Sequence, residues 1–489
     1  MIDMFATDSS GLARWRWPAA LLVLTLFALV VRWYYVSTAM VIHPVRGDAS
    51  EYISYAWNLL THDCFAKDWP GSASLTPDSY RDPGYPFFLA VLMKAFGTGD
   101  AWYAAVLLSQ AALGACTVAL ATQLGRCWLG GRRALAAGML MAVWPHSISI
   151  TGVLLSETLS GFLCVAGLLA VASACRRESK YWGFASGIVL GAAALTNAVL
   201  LPFGILLAAL LAWRRLAAPM FCAALAIGAL LLPCAWMLRN SQLAPAASGD
   251  SSRDRALQNF AQGSSPDYHT AYRDSFFGDA RQQAHARVTL RAVDTEYALL
   301  KQSLPDGLGA FLRQVDQQPL RYAFWYLVEK PYELWGWNIV IGQGDIDVYP
   351  TVNSPFRTLR PWIALEAFCQ TINRLLMWLA AAAVLSLALS SRVRVWATPS
   401  RHGQASSMAI AGLLVFITVV YCALQEEPRY AIPFRPLEIL MAFTTLALAC
   451  RQWRQRKPSG HPGSQAYGEG GATHRTPTIT ENVTSGVTS

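Results

Sequence analysis

Charge is what this chain has least of. Only 14% of its 489 residues are Asp, Glu, Lys or Arg, against roughly 25% in a soluble domain, while 54% are hydrophobic. That balance excludes a string of soluble domains and points to a polytopic membrane protein, since each crossing consumes about 20 apolar residues. Cysteine chemistry is missing too: none of the ten cysteines forms a CxxC or a Cys/His set with zinc spacing. Cys116, Cys164, Cys222, Cys234 and Cys422 lie inside apolar runs and read as small buried apolar residues, while Cys64 and Cys369 fall outside. There is no convincing internal repeat and no convincing cleaved signal peptide; the first apolar run follows Arg14 and Arg16 and reads as an uncleaved anchor. The net charge of +9 does not imply a nucleic-acid partner, because Lys and Arg occur in short clusters between apolar runs, as the positive-inside bias arranges them.

Those clusters set an expected topology. Arg14 and Arg16 place residues 1–17 in the cytoplasm, and a helix of about 18–40 leads out. The next inside signal is Arg126, Arg132 and Arg133, reached through a helix of about 101–124. The apolar stretch of about 83–96 between them is short for a span, and parity forbids it from crossing. Residues 43–100 are therefore expected to form an outer loop whose second half lies against the membrane surface. Further helices are expected at about 134–151, 154–174, 182–196, 197–212 and 217–238, closing a membrane module of 18–240. An outer region of 241–370 follows, with Trp325, Trp335 and Trp337 suited to interface packing. Helices at about 372–390, 407–424 and 431–450 complete a C-terminal part of 371–450, with Arg392, Arg394 and Arg401 inside. The fold class is thus all-α, a transmembrane bundle of about ten spans. The tail of 451–489 reads as disordered and cytoplasmic, so its Asn482-Val483-Thr484 sequon is accidental.

This topology gathers Asp48, Glu51, Arg81, Glu157, Arg239, Glu426, Glu427 and Arg429 at one depth on the outer side. Acids and bases converging there from distant parts of the chain are what a charged, membrane-bound substrate requires. Each also has a structural explanation. Asp48 with Glu51 three residues later spells a capping box, and Asp82-Pro83 an ordinary helix start. Glu157 is favoured at a helix N-terminus by the dipole. Arg239 suits snorkelling to lipid headgroups, and Arg429 has neighbouring glutamates to pair with. Functionally, the guanidinium of Arg81 suits a bidentate phosphate contact.

Four stretches, in order, carry a family resemblance: Gly47-Asp48-Ala49-Ser50-Glu51-Tyr52; Tyr80-Arg81-Asp82-Pro83-Gly84-Tyr85-Pro86; Trp144-Pro145 with Leu155-Ser156-Glu157; and Glu427-Pro428-Arg429-Tyr430. Over roughly residues 15–450 the chain resembles the GT-C superfamily of polyprenyl-phosphate-sugar-dependent glycosyltransferases. The branch it is similar to contains the protein O-mannosyltransferases and lipid A aminoarabinose transferases. The resemblance implies an essential Asp after the first helix, matched by Asp48, and a second acid matched by Glu157. One departure stands out: relatives carry an Arg-Pro pair after the fifth helix, where this chain has Thr196-Asn197-Ala198.

The expected function is therefore sugar transfer from a polyprenyl-phosphate donor to a glycan, lipid or protein acceptor, with inversion, on the periplasmic or extracellular face of the plasma (inner) membrane. Asp48 and Glu157 are the catalytic candidates, Arg81, Arg239 and Arg429 the donor-phosphate candidates, and Glu51, Tyr85 and Tyr430 the substrate-binding candidates. No cofactor is required by this chemistry. A divalent cation, Mg or Mn, would have only Asp48 and Glu157 to bind it, and two carboxylates make a poor site. The competing expectation is a transporter or flippase of a lipid-linked or anionic solute, which calls for charges near the bilayer midplane and often a repeat.

Overall fold

Long apolar runs leave helix as the one arrangement that satisfies every backbone group in lipid, and helices dominate the computed structural model, which describes residues 11–243, 251–342, 344–390, 398 and 400–456. The side chain of Arg14, together with Arg392, Arg394 and the tail bearing Asn482, lies outside the described residues. The chain divides into a unit of Met1–Ala449 and a short one from Cys450, of which the helical residues to Arg456 are described.

The first ten helices are α1 (Gly11–Thr38), α2 (Asp48–His62), α3 (Gly84–Phe96), α4 (Asp100–Leu129), α5 (Gly131–Val143), α6 (Pro145–Ser149), α7 (Glu157–Arg177), α8 (Lys180–Thr196), α9 (Phe203–Trp213) and α10 (Pro219–Ser241). Among the described residues seven helices are long and apolar enough to cross a membrane: α1, α4, α7, α10, Arg360–Leu389, Arg401–Ala423 and Pro428–Trp453. The α5–α6 pair, bent by 61° where Pro145 breaks the helix, brings the number to eight when it is counted as one span. This is an integral, multi-pass membrane protein. The expectation of about ten spans adds α8 and α9, of 17 and 11 residues. Counting both or neither leaves every other segment on the same side. α8 lies tight against α10 because Gly187 has no side chain: a Cβ there would stand 2.3 Å from the Leu225 carbonyl oxygen.

Between α1 and α4 the chain forms two short helices instead of crossing. α2 buries Ala49, Tyr52, Ile53 and Ala56 against Tyr85, Leu89, Ala90 and Met93 of α3, and both rest on Trp102 and Val106 of α4 and on Ile150–Leu155. A two-residue antiparallel ribbon pairs β1 (Met40–Val41) with β2 (Thr351–Val352), tying the end of α1 to the later segment. That segment is a run of helices from Ser252 to Leu334 rather than an interfacial aromatic belt. Trp325, Trp335 and Trp337 are buried in protein: Trp325 donates to the Gly263 carbonyl, Trp335 to the Thr418 hydroxyl, and Trp337 packs edge-on against Trp144. The following helix begins at Arg360, about three turns before its expected start, since polar residues such as Glu366 and Asn373 face other protein. All ten cysteines are free; Cys164, Cys222 and Cys422 are buried as expected, whereas Cys116 and Cys234 face outward from their helices.

Candidate active site

The site begins with a backbone conformation. Gly47 sits at φ 51°, in the region that favours glycine, and a Cβ there would press on the Tyr349 hydroxyl at 3.3 Å. This turn makes Asp48 the first residue of α2, and Glu157 is likewise the first residue of α7. Both helix N-termini direct their partial positive charge at the carboxylates they start with.

The Asp48 side chain makes no capping hydrogen bond, so the capping-box reading of Asp48 and Glu51 is corrected. It bridges two arginines instead. Arg81 Nη2 donates to Asp48 Oδ1 at 2.6 Å, and Arg429 Nη2 to Asp48 Oδ2 at 2.7 Å. Arg81 Nε donates to Glu51, and Arg429 Nε to Glu157 Oε1 at 2.5 Å. Five charged side chains from four distant stretches thus form one chain of ion pairs, Glu51–Arg81–Asp48–Arg429–Glu157. The partners of Arg429 are therefore Asp48 and Glu157, not the adjacent glutamates: Glu426 pairs with Lys330, and Glu427 accepts the Ile341 amide. Glu157 is 7% exposed, while Asp48 keeps 30%, so Asp48 is the one of the two that an incoming substrate can meet. Burial alone would raise the Asp48 carboxyl, but the guanidiniums of Arg81 and Arg429 outweigh it and hold it well below the usual carboxylate range.

Two expected site residues, Arg239 and Tyr85, sit elsewhere, and so does the Asp82 carboxylate. Arg239 is not snorkelling: its guanidinium donates to the carbonyls of Asp78 (2.6 Å) and Phe65 (3.3 Å) and stacks on Trp236, stapling the loop before Arg81. Tyr85 is fully buried with its hydroxyl donated to Gln110, so it cannot meet a substrate. Asp82 is no N-cap, since Pro83 precedes the first helical residue; its carboxylate takes Arg255 at 2.9 Å and the Ala198 amide at 3.1 Å. The departing Thr196-Asn197-Ala198 turn is accordingly tied to the Arg81-Asp82 loop, and Arg255 supplies a guanidinium beside it. Tyr430 lies parallel to Tyr421 at 5.1 Å, next to Arg429.

Sequence reasoning passed over four buried charges. Arg32 of α1 is 1% exposed and donates to the carbonyls of Ala28, Met141 and Ala142. Arg435 is fully buried and paired with Glu438 at 2.8 Å, and it also holds the Trp335 and Gly336 carbonyls. Lys330, also fully buried, ties the Gly263 and Leu424 carbonyls to Glu426. An isolated charge in an apolar run is the signal that could have marked Arg32. Arg435 also donates to Asn373, which lines a cavity of about 420 Å³ together with Tyr332, Trp335, Trp337, Asn338 and Arg374; the cavity reaches Pro428, directly before Arg429.

The bridge between Asp48 and Glu157 does not fit a divalent cation, because a guanidinium lies between the two carboxylates. A second set, His269, Glu333 and Glu426, brings three ligand atoms within 4.8 Å and has the spacing to hold a metal ion. Lys330 stands 3.1 Å from Glu426, however, and already supplies the positive charge there.

Comparison with known proteins agrees with this architecture. Residues 78–237 match the family described as dolichyl-phosphate-mannose-protein mannosyltransferase. The archaeal oligosaccharyltransferase AglB from Archaeoglobus fulgidus, in complex with an inhibitory peptide and a dolichol-phosphate, superposes with a TM-score of 0.50 at 14% identity, covering 91% of this chain and 52% of that one. The apo form of the A. fulgidus enzyme gives a TM-score of 0.50 at 15% identity, with the same coverage of 91% and 52%. This chain thus spans about half the length of the oligosaccharyltransferase it matches. ArnT from Cupriavidus metallidurans bound to undecaprenyl phosphate matches at 14% identity over 91% of this chain and 79% of that one, with a TM-score of 0.32. No curated protein matches in sequence. The membrane bundle of this chain shares its fold with the archaeal oligosaccharyltransferase, and residues 78–237 are similar to the dolichyl-phosphate-mannose-protein mannosyltransferase family.

Proposed function

We propose that this chain is a glycosyltransferase that moves a sugar from a polyprenyl-phosphate donor to a glycan, lipid or protein acceptor of the cell envelope. The observation that carries this reading is the Asp48 carboxylate held between two guanidiniums at the start of α2, within a GT-C fold. The basic clusters on the opposite ends of the helices support placing the site on the periplasmic or extracellular face of the plasma (inner) membrane.

The ion-pair chain is the resting state of the site. A donor phosphate competes with the carboxylates for Arg81 and Arg429, and bidentate guanidinium contact favours it. Once those guanidiniums turn to the phosphate, the cause of the low Asp48 pKa moves away and Asp48 becomes basic enough to act. The acceptor hydroxyl attacks the anomeric carbon as Asp48 orients it and takes its proton. The bond from that carbon to the phosphate oxygen breaks, and its electron pair leaves on the phosphate, where Arg81 and Arg429 neutralise the developing charge. A single displacement inverts the anomeric centre. Glu157 holds Arg429 in place, and Glu51 does the same for Arg81. Tyr430 flanks the donor side, and the aromatic and amide lining of the 420 Å³ cavity suits the faces and edges of sugar rings on the acceptor. In the resting site Arg429 stands between Asp48 and Glu157, and none of these steps is routed through a metal.

The test is Asp48→Asn in membranes supplied with labelled polyprenyl-phosphate sugars. With normal expression, transfer is expected to fall by about 10²–10⁴-fold, the usual contribution of a positioned base. Transfer at the wild-type rate removes Asp48 from the catalytic role.

A further inference from the structure

Pro319 to Leu334 form one continuous helical stretch, α-helical over Pro319–Phe324, wound as a π-helix over Trp325–Glu329 and α-helical again over Lys330–Leu334. Its polarity is inverted for a helix in water. Turned inward are Lys330, fully buried on the Gly263 and Leu424 carbonyls, and the Trp325 indole, whose N–H is donated to Gly263. Turned outward are Leu320 at 86% and Leu327 at 77% exposure, with Phe324 and Val328 beside them. Spacing of four, seven and eight residues from Leu320 puts these side chains on one helix face. Every exposed residue from Pro319 to Pro331 is apolar. The two charges on the flanks, Arg321 and Glu329, are partly buried and pair with each other.

A single apolar side chain on a wet surface needs no explanation: Val288, on the helix Ala280–Gln302, is exposed between the exposed Arg287 and Arg291. A stripe with no polar residue among its exposed members marks a face that something apolar covers. The depth at which this stretch ends says what covers it. Lys330 Nζ holds the carbonyl of Leu424, the residue just past the span Arg401–Ala423. One turn further on, Trp335 Nε1 donates to the Thr418 hydroxyl at 3.0 Å, and Thr418 lies about 8 Å inside that span. Tyr332 lies under the guanidinium of Arg374 at 5.6 Å, halfway along the span Arg360–Leu389. The stretch therefore ends below the rim of the bundle instead of standing above it. The same two spans turn Val415, Val419, Phe368, Leu375 and Trp378 outward, as helices in lipid do.

We propose that the outward face of Pro319–Leu334 is seated in the bilayer leaflet next to the site, continuing the lipid-facing surface of these two spans. The helix is too short to cross, so it lies in the leaflet with its aliphatic face among the acyl chains. Its tryptophans point the other way, into protein, and the mutual pairing of Arg321 and Glu329 lowers the cost of bringing their charges near hydrocarbon. Lys330, on the same stretch, holds Leu424 and Glu426, so the leaflet anchors the helical layer tied to the turn before Arg429. This seating does not depend on the transferase reading above.

The test needs no substitution. The full chain is reconstituted in phosphatidylcholine vesicles carrying a photoactivatable diazirine on the acyl chain, irradiated, and its adducts are mapped by mass spectrometry. Phe368 and Leu375 serve as the lipid-facing reference and Val288 as the water-facing one. Adducts on Leu320, Phe324, Leu327 and Val328 are expected at about the yield of the lipid-facing reference, and about tenfold above that of Val288. A water-soluble carbene precursor is expected to give the reverse ranking. Lipid adducts on Phe368 and Leu375 with none on the stripe overturn the proposal. In that case labelling of the stripe from water makes it a solvated surface, and protection from both reagents makes it a face covered by a second copy or another protein. Sugar transfer enters neither readout, so a chain that transfers nothing defeats the transferase reading and leaves this result standing.

Discussion

Removing Arg429 exposes the logic of the site most sharply, because its guanidinium stands between two carboxylates of unequal burial. In Arg429→Met the Glu157 side chain, 7% exposed, loses its one hydrogen-bonded partner, and breaking a buried pair in this way costs about 3–5 kcal/mol. Asp48, at 30% exposure and still paired with Arg81, adds about 1 kcal/mol or less. A marked fall in thermal stability in detergent is therefore expected, along with loss of transfer. Adding Glu157→Gln removes the stranded charge, so the double variant Glu157→Gln/Arg429→Met is expected to regain at least half of the lost stability, a coupling of about 0.5–3 kcal/mol. It regains no transfer, because the phosphate still lacks its guanidinium. Arg429→Lys keeps the charge but cannot serve Asp48 and Glu157 with two fixed donors. It is expected to be nearly as stable as wild type and about 10²–10³-fold slower. Thermal unfolding monitored by tryptophan fluorescence, beside a radiolabelled transfer assay, reads both effects. A double variant no more stable than Arg429→Met, or Arg429→Lys at full rate, would refute the reasoning.

Burial pushes the Glu427 carboxyl up to about 8, against the pull of the Ile341 amide and Arg429. A raised acid makes the folded state bind more protons than the unfolded one, so its contribution is present below the ordinary carboxylate range and lost as pH rises towards 8, by about 1.4 kcal/mol per unit. Glu427→Gln, which still accepts the Ile341 amide, should flatten that decline in melting scans from pH 5 to 8; an unchanged slope counts against it. Dialysis against EDTA is expected to leave transfer within about twofold, given the guanidinium between Asp48 and Glu157; a loss restored by Mg²⁺ or Mn²⁺ would contradict this. A reporter fused after Gly99 is expected to register on the outer side, and a cytoplasmic signal would overturn the parity argument for residues 43–100.

Much of this site is legible in the amino-acid order, for a physical reason. Apolar runs and basic clusters fix which helix ends share a side, and that alone gathers Asp48, Glu51, Arg81, Glu157 and Arg429. What each carboxylate does there is set by partners hundreds of residues away, which local spacing does not report. Asp48 and Glu51 have the spacing of a capping box, yet two arginines outcompete the backbone amides for Asp48. Arg239 has the position of a snorkelling arginine, yet the carbonyls of Phe65 and Asp78 capture it. Tyr85 belongs to a conspicuous motif, yet its ring is packing and its hydroxyl is spent on Gln110. Arg32 was hidden because its partners are carbonyls at the end of α5, which no side-chain pattern announces.

The claim that matters most is that the chain breaks a sugar–phosphate bond at the outer end of the bundle. The direct measurement incubates purified protein in vesicles with a labelled polyprenyl-phosphate sugar and cell-envelope acceptors, and follows the sugar, the lipid and the anomeric configuration together. Release of free polyprenyl phosphate in step with labelled acceptor, with the anomeric centre inverted and no turnover in Asp48→Asn, is the predicted result. Labelled lipid that crosses the bilayer with its sugar still attached would contradict the account and make the chain a flippase.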